Sequence, residues 1–134
     1  MCLMSSETNE IRISLPSPFI DERGCLQNLL DTPISSVIYV TSTPGAIRAN
    51  HYHKDDWHYA YLISGEMIYY HRNVGDNKPP EEVHVKPGDM IYTPPMVEHA
   101  MKFLADSTFI AFGGRPRDQE SYEADLVRVT LISD

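Results

Sequence analysis

The sequence predicts an all-β domain of the sandwich or barrel type with little helix. Short segments rich in β-branched and aromatic residues recur along the chain, and turn-forming Pro, Gly, Asp and Asn residues separate them. No segment carries the apolar i, i+3, i+4, i+7 spacing of an amphipathic helix. These two observations together indicate successive strands joined by tight turns.

Eight strands are predicted in the middle of the chain, in the segments 36–43, 47–53, 58–65, 66–72, 81–88, 89–95, 99–105 and 107–113. The Gly, Asn, Asp and Pro residues of 73–82 suit an exposed hairpin excursion between two of these strands. A turn or a short helix is predicted for residues 115–126, and a last strand is predicted for VRVTLIS (127–133).

Length and composition limit the number of domains and the class of partner. A chain of 134 residues, 42% of them hydrophobic and with no apolar run as long as a membrane span, fits a single domain over 1–134. We expect a core barrel at about 36–113, with an N-terminal and a C-terminal strand packing on it. The net charge of −8 and the lack of a Lys/Arg block disfavour nucleic acid and anionic membranes as partners, and favour a small-molecule substrate or a protein.

The N-terminal stretch and the two cysteines bear on location. MCLMSSETNE lacks the basic flank and the apolar segment of a secretory signal, so we expect a cytoplasmic location. Cys2 and Cys25 form neither a CxxC pair nor a dense framework. In a reducing compartment such thiols are expected to behave as small hydrophobic side chains and not as a disulfide or redox pair.

Three of the six histidines fall within HYHKDDWH (51–58). Because side chains alternate along a strand, His51 and His53 point to one face of the predicted strand 47–53. Arg48 points to the other face unless a β-bulge intervenes. Two imidazoles are therefore expected side by side on this strand.

The turn after this strand leads to further histidines. Asp55 and Asp56 are turn formers, and an antiparallel return can place His58 beside the first pair. His99 opens a later strand after the tight turn TPPMVE. If the sheet closes into a barrel, the four histidines can converge inside it, where neutral imidazoles bind borderline transition metals well. The alternative is that they are polar residues on a solvated sheet face.

The other polar residues have simpler interpretations. His71 and His84 are expected on strand surfaces, away from the cluster. Glu98 precedes His99 and points away from it on a regular strand, and is kept as a candidate catalytic base.

The spacing of these residues resembles the two motifs of the cupin family. The first motif has matches at Gly45, His51, His53, His58 and Gly65. The second motif has matches at Gly88, Pro94 and His99. His58 stands where the family usually has glutamate, and Met96 stands where it usually has glycine, which suggests a turn that does not require a positive φ.

The resemblance implies a double-stranded β-helix, that is, a jelly-roll barrel with little helix that often forms a homodimer. It also implies one divalent transition metal ion, held by His51, His53, His58 and His99. With a histidine in place of the carboxylate all four ligands are neutral, so the ion would keep its full positive charge inside the barrel. Four imidazoles favour Zn or Ni and leave Cu and Fe open.

A second, shorter resemblance lies upstream. FIDERGCLQNLL (19–30), followed by IRANHYHK (47–54), resembles the openings of the cupin-fold nucleotide-sugar epimerases and ketoisomerases, whose acid/base histidine matches His51. These enzymes move a proton next to a sugar carbonyl and generally work without metal. A histidine that binds metal cannot also be a free base, so His51 is a catalytic candidate only if it is not a ligand.

The resemblance leaves three functions open. The favoured one is a metal-dependent isomerase or epimerase acting on a small polar or sugar-like substrate, in which the ion polarises a carbonyl. The second is a cupin-type dioxygenase or decarboxylase, which a shell of four neutral ligands makes less favoured. The third is a non-catalytic sugar-binding or sensor domain.

Overall fold

The computed structural model describes residues 11–133, so the expectations for Cys2 and for the stretch MCLMSSETNE lie outside the described part of the chain. The elements are β1 (Arg12–Ile13), β2 (Phe19–Asp21), β3 (Gly24–Leu26), β4 (Ser36–Ser42), β5 (Ile47–His53), β6 (His58–Ser64), β7 (Met67–Asn73), β8 (Glu81–Val85), β9 (Met90–Thr93), β10 (Val97–Phe103), β11 (Ser107–Gly113), α1 (Gln119–Asp125) and β12 (Leu126–Arg128). The prediction of an all-β fold with little helix is confirmed. No helix in these residues is long and apolar enough to cross a membrane.

Two five-stranded antiparallel sheets form the barrel. Sheet one has the strand order β1-β9-β6-β11-β4, and sheet two has the order β12-β5-β10-β7-β8. From β4 to β7 and again from β8 to β12, each strand lies in the sheet opposite to the strand before it. This alternation between two sheets is the jelly-roll arrangement, and the predicted fold class is confirmed.

The core lies between the two sheets. The largest fully buried side chains are Tyr69, Phe103, Leu62, Met67, Met90, Ile91 and Val85. Phe103 of sheet two and Phe109 of sheet one stack with their ring centroids 5.9 Å apart. The Tyr69 hydroxyl lies 2.5 Å from Oγ1 of Thr93, which satisfies two buried polar groups across the core. Burial of each large apolar side chain contributes about 1.5–3 kcal/mol to folding.

The last predicted strand is shorter than the sequence suggests. VRVTLIS alternates like a strand, but β12 ends at Arg128. Beyond it the chain is bonded to one residue, because the Asn50 carbonyl accepts from the Val129 amide and its side-chain oxygen accepts from the Leu131 and Ile132 amides. A side-chain acceptor thus replaces the sheet ladder at this end of the barrel.

The N-terminal part of the described chain has two separate roles. β1 pairs with β9 at the edge of sheet one. β2 and β3 form a hairpin of their own, outside both five-stranded sheets. Cys25 on this hairpin is exposed and free, so it is not a buried hydrophobic side chain.

Candidate metal centre

The four motif histidines line one cavity inside the barrel, with a volume of about 370 Å³. His51 and His53 lie on β5, His58 lies on β6 and His99 lies on β10. The ring centroid of His53 is 4.7 Å from that of His58 and 4.9 Å from that of His51. The rings of His51 and His99 are 4.7 Å apart. The structure therefore brings together the four residues that the motif spacing singles out.

A β-bulge on β5 adjoins this cavity. Two consecutive residues of β10 face His51 and Ala49, so Asn50 is the extra residue of the bulge. Ala49 and Asn50 both have a positive φ, 70° and 55°. The bulge breaks the alternation of the strand, and Arg48 lines the cavity together with His51. On a regular strand Arg48 and His51 would point to opposite faces, so the bulge is what allows Arg48 to reach the site.

Hydrogen bonds orient two of the rings. Nδ1 of His53 lies 3.1 Å from Oδ2 of Asp125, and Nδ1 of His99 donates to the Val97 carbonyl at 3.0 Å. Each ring therefore keeps its Nε2 free, as a metal-binding histidine does when its other nitrogen is held by a carboxylate or a backbone carbonyl.

His58 is held by its other nitrogen. The sequence treats Asp55 and Asp56 together as turn residues, but the structure separates them. Asp55 is exposed, whereas Asp56 is only 5% exposed and its Oδ2 lies 3.0 Å from Nε2 of His58. Asp56 is thus part of the site, and only Nδ1 of His58 is free.

Burial keeps His51, His53 and His99 neutral in the metal-free protein. Burial, together with the nearby His99, His53 and His58 rings, lowers the pKa of His51 to about 2. Burial is also the main reason why the pKa of His99 is lowered to about 3. Burial and the neighbouring His58 lower the pKa of His53, although Asp125 acts in the opposite direction. Neutral imidazoles keep a lone pair, which metal binding requires.

The donor set fits a divalent transition metal ion. The ligand atoms of His51, His53 and His99 lie within 4.8 Å of one another, and so do those of His53, Asp56 and His58. The two groups share His53, and no single group among the described residues contains all four histidines, so His58 adjoins the other three through His53. Imidazole nitrogens with an adjacent carboxylate suit ions such as Zn²⁺, Ni²⁺, Cu²⁺ or Fe²⁺.

Sequence reasoning missed the groups that α1 contributes. The Tyr122 ring centroid lies 5.8 Å from that of His53 and 6.3 Å from that of His51. The guanidinium carbon of Arg117 lies 4.0 Å from the centre of the Tyr122 ring. Tyr122 and Asp125 are three residues apart on a helix and so share a face. The spacing of Tyr122 and Asp125 could have indicated that both lie on one face of a helix. It could not have indicated that this face packs against the histidine cluster.

Two other candidates lie elsewhere. Glu98 pairs with Arg72, whose Nε donates to it at 2.9 Å, and it does not line the histidine cavity. His71 lies opposite His99 in the β7–β10 register, and its ring is 5.8 Å from that of buried Tyr69. Opposite residues share a face, so His71 lies on the same face of sheet two as His99, where it is half-buried.

The turn before His99 also differs from the expectation. Met96 has a φ of 62°, so the turn does require a positive φ although the residue is not glycine. Two backbone hydrogen bonds hold it there: the Met96 amide donates to the His53 carbonyl, and the Met96 carbonyl accepts from the Val74 amide. The turn is thereby tied to the end of β5, which carries two of the clustered histidines.

A barrel of two antiparallel sheets with a histidine cluster in its interior belongs to the class of jelly-roll proteins. The family model described as the cupin domain matches residues 38–112, and the chain belongs to the cupin family. No curated protein is similar enough in sequence to count as a match.

Several solved structures share the fold at low sequence identity. The sugar 3,4-ketoisomerase QdtA from Thermoanaerobacterium thermosaccharolyticum is 17% identical, with a TM-score of 0.70 over 90% of this chain and 86% of that one. The dTDP-4-dehydrorhamnose 3,5-epimerase from Sulfolobus tokodaii is 18% identical, with a TM-score of 0.70 over 90% of this chain and 78% of that one. The capsular polysaccharide assembling protein CapF from Staphylococcus aureus is 22% identical, with a TM-score of 0.65 over 84% of this chain. The chain spans only 34% of the CapF chain.

Proposed function

We propose that this cupin binds one divalent transition metal ion through His51, His53, His58 and His99, and that it is an enzyme. The ion would polarise a carbonyl group of a small polar or sugar-like substrate for isomerisation or epimerisation. The observation that carries the proposal is the convergence of four imidazoles on one cavity. A sugar-like substrate is supported by the likeness to a sugar ketoisomerase and a sugar epimerase.

The rest of the cavity suits an oxygen-rich molecule. Arg48, Arg117 and Tyr122 line it beside the histidines. Guanidinium and phenol groups donate hydrogen bonds to hydroxyl, carbonyl and carboxylate oxygens. Arg48 already donates through Nε to Ser42 Oγ and through Nη2 to the Thr41 carbonyl, so Nη1 is its remaining donor group. On the opposite side Ile38, Val40 and Phe109 supply apolar wall. Polar and apolar side chains thus share the lining, and an apolar wall with convergent polar groups is typical of small-molecule sites.

A metal-free reaction with His51 as the base has weaker support. A histidine base works best when its pKa lies near the working pH, which usually requires a carboxylate partner. Burial is the largest cause that lowers the pKa of His51, and the basic side chains of His99, His53, His58 and Arg117 lower it further. Such surroundings favour a neutral ligand over a proton acceptor.

Elemental analysis of protein purified without an affinity tag tests the metal. We expect close to one Zn or Ni per chain in the wild type, and loss of most of that metal in His51→Ala and in His99→Ala. Circular dichroism of both variants checks that the barrel is still folded. Failure to hold any metal after reconstitution would contradict the proposal and return His51 to a metal-free role. Stoichiometric Fe or Cu would instead favour the dioxygenase alternative.

We also propose that the chain forms a homodimer through the outer face of sheet one. On that face the paired residues are apolar: Ile110 lies between Tyr39 and Tyr61, and Phe112 lies between Val37 and Tyr59. Val37 is 63% exposed and Tyr39 is 68% exposed. A second copy would cover this face and the free edge of β4.

We also propose that the protein is located in the cytoplasm, and cell fractionation tests this location.

A further inference from the structure

Asp56 is a buried carboxylate between a candidate metal ligand and two backbone amides. Its Oδ1 accepts from the Trp57 amide at 2.8 Å and from the Gly114 amide at 3.0 Å. Its Oδ2 faces Nε2 of His58 at 3.0 Å. A buried carboxylate is costly unless its oxygens are hydrogen-bonded. All the partners of Asp56 come from the turn after β5, the start of β6 and the end of β11, so three parts of the chain fix its position.

Gly114, just after β11, leaves space that this arrangement needs. A Cβ on Gly114 would lie 2.4–2.7 Å from atoms of the Trp57 ring, whereas a Cβ on the preceding Gly113 would lie 2.6 Å from Oγ of Ser36 and only in ordinary contact with His58. Neither glycine has a positive φ. Their lack of a side chain therefore matters for close approach. At Gly114 it lets the backbone amide reach Asp56 beside the Trp57 ring, and at Gly113 it leaves room for Ser36.

The hydrogen bond also decides which nitrogen of His58 can bind a metal. His53 and His99 use Nδ1 for hydrogen bonds and keep Nε2 free. His58 uses Nε2 for the bond with Asp56, which leaves Nδ1. A carboxylate bonded to the far nitrogen fixes the tautomer and makes the imidazole a stronger ligand.

We propose that Asp56 is a positioning residue that acts through His58, and that it supplies negative charge to the metal centre. The proposal rests on the proposed metal site and deepens it. A shell of four isolated neutral ligands leaves the charge of the ion uncompensated in the barrel. Asp56 on His58, like Asp125 on His53, would place a carboxylate one imidazole ring away from an ion held there. The site would then have the charge balance of a mixed histidine and carboxylate centre without a carboxylate on the metal.

Metal affinity measured with a competing chromophoric chelator tests the proposal. Asp56→Asn keeps the shape of the side chain and removes its charge. We expect its Zn²⁺ affinity to fall by about 10–100-fold, the usual effect of losing such a partner, and the visible absorption of its Co²⁺ form to shift. The matched control is Asp55→Asn, which removes one negative charge from the exposed neighbour and should change Zn²⁺ affinity by less than about threefold. An unchanged affinity and spectrum in Asp56→Asn would overturn the proposal.

A double-mutant cycle separates an effect through His58 from a general electrostatic effect. In a His58→Ala background, Asp56→Asn should leave Zn²⁺ affinity nearly unchanged, because the group through which Asp56 acts is missing. If Asp56→Asn weakens binding equally in both backgrounds, Asp56 does not act through His58 and the proposal is wrong.

Nitrogen NMR of the wild-type Zn²⁺ protein gives an answer even if Asp56→Asn does not fold. We expect the metal on Nδ1 of His58 but on Nε2 of His53 and His99. Metal on Nε2 of His58 would overturn the proposal, because that nitrogen could not then bond Asp56. If the wild type binds neither Zn²⁺ nor Co²⁺, the proposed function itself fails. If it binds both ions and the three Asp56 results are negative, only the role of Asp56 fails.

Discussion

Buried histidines make the stability of the metal-free protein depend on pH. His51 and His99 have pKa values lowered to about 2 and about 3, against 6.5 for an unperturbed histidine. Between these values and 6.5 the unfolded chain binds protons that the folded chain does not. The free energy of unfolding therefore rises with pH across this window and falls on acidification.

Denaturant unfolding in the presence of a chelator, at pH 8 and at pH 5, measures this effect. Each histidine that stays neutral in the fold should cost on the order of 1–2 kcal/mol at pH 5. His51→Gln removes one titrating group, so the loss of stability between the two pH values should be smaller in this variant than in the wild type. Equal stability of the wild type at both pH values would contradict the expectation.

The sequence identified the four histidines but not the residues that hold them. Alternation along β5 and the motif spacing were enough to place His51 and His53 on one face. Asp56 and Asp125 could not be identified in the same way, because their contacts depend on how a turn and a helix pack against the barrel. Short acidic residues in turns are usually solvated, and nothing local distinguishes buried Asp56 from exposed Asp55.

At the level of elements, the turn between β6 and β7 requires glycine for two separate reasons. Gly65 has a φ of +96°, and a Cβ there would lie 2.1 Å from Oγ of Ser107 and 2.5 Å from the Asp106 carbonyl oxygen. Gly75, in the loop between β7 and β8, has a similar φ of +89°, but nothing lies within 4 Å of its Cβ position. The two glycines therefore share the backbone cost of a substitution but not the steric cost.

Alanine at each glycine separates these costs. Gly75→Ala should lower the free energy of unfolding by about 1–2 kcal/mol, the cost of a left-handed non-glycine residue. Gly65→Ala should lower it by at least about 3 kcal/mol, because Ser107 and the backbone of Asp106 must also move. Denaturant unfolding of both variants measures the difference. Equal losses would contradict the steric argument at Gly65.

Most strands could be predicted because their local composition and their tertiary role agree. Residues 47–53 and 107–113 were predicted with the bounds that β5 and β11 have. The bulge within β5 could not be predicted, since its positive φ angles fall on Ala49 and Asn50 and not on a glycine. Residues 129–133 were overpredicted as strand, because the acceptors of Asn50 take the place of a neighbouring strand.

On the scale of the whole molecule, the two sheets present different outer faces. The outer face of sheet two carries charged and polar residues, including the partly buried pair of Arg72 and Glu98 and the exposed His84, which pairs with Glu66 of the β6–β7 turn. Sheet one instead presents rows of aromatic and aliphatic residues. An antiparallel sheet usually has one apolar face toward the core and one polar face toward water. The difference between the two outer faces becomes visible only when it is known which strands pair within each sheet. The resemblance to the cupin family predicts that arrangement of strands, whereas the pattern of residues along single strands does not.

A sheet with two apolar faces is expected to bury both of them. We predict a mass of about twice 15.3 kDa in sedimentation equilibrium at micromolar concentration. Tyr39→Asp puts a charge into the centre of the proposed interface, and should raise the dimer dissociation constant by at least about tenfold. The matched control is Tyr70→Asp, the same change on β7 of sheet two, opposite Glu82, which should leave the mass unchanged. A wild type that sediments only as 15.3 kDa, or a dimer that Tyr70→Asp disrupts and Tyr39→Asp does not, would contradict pairing through sheet one.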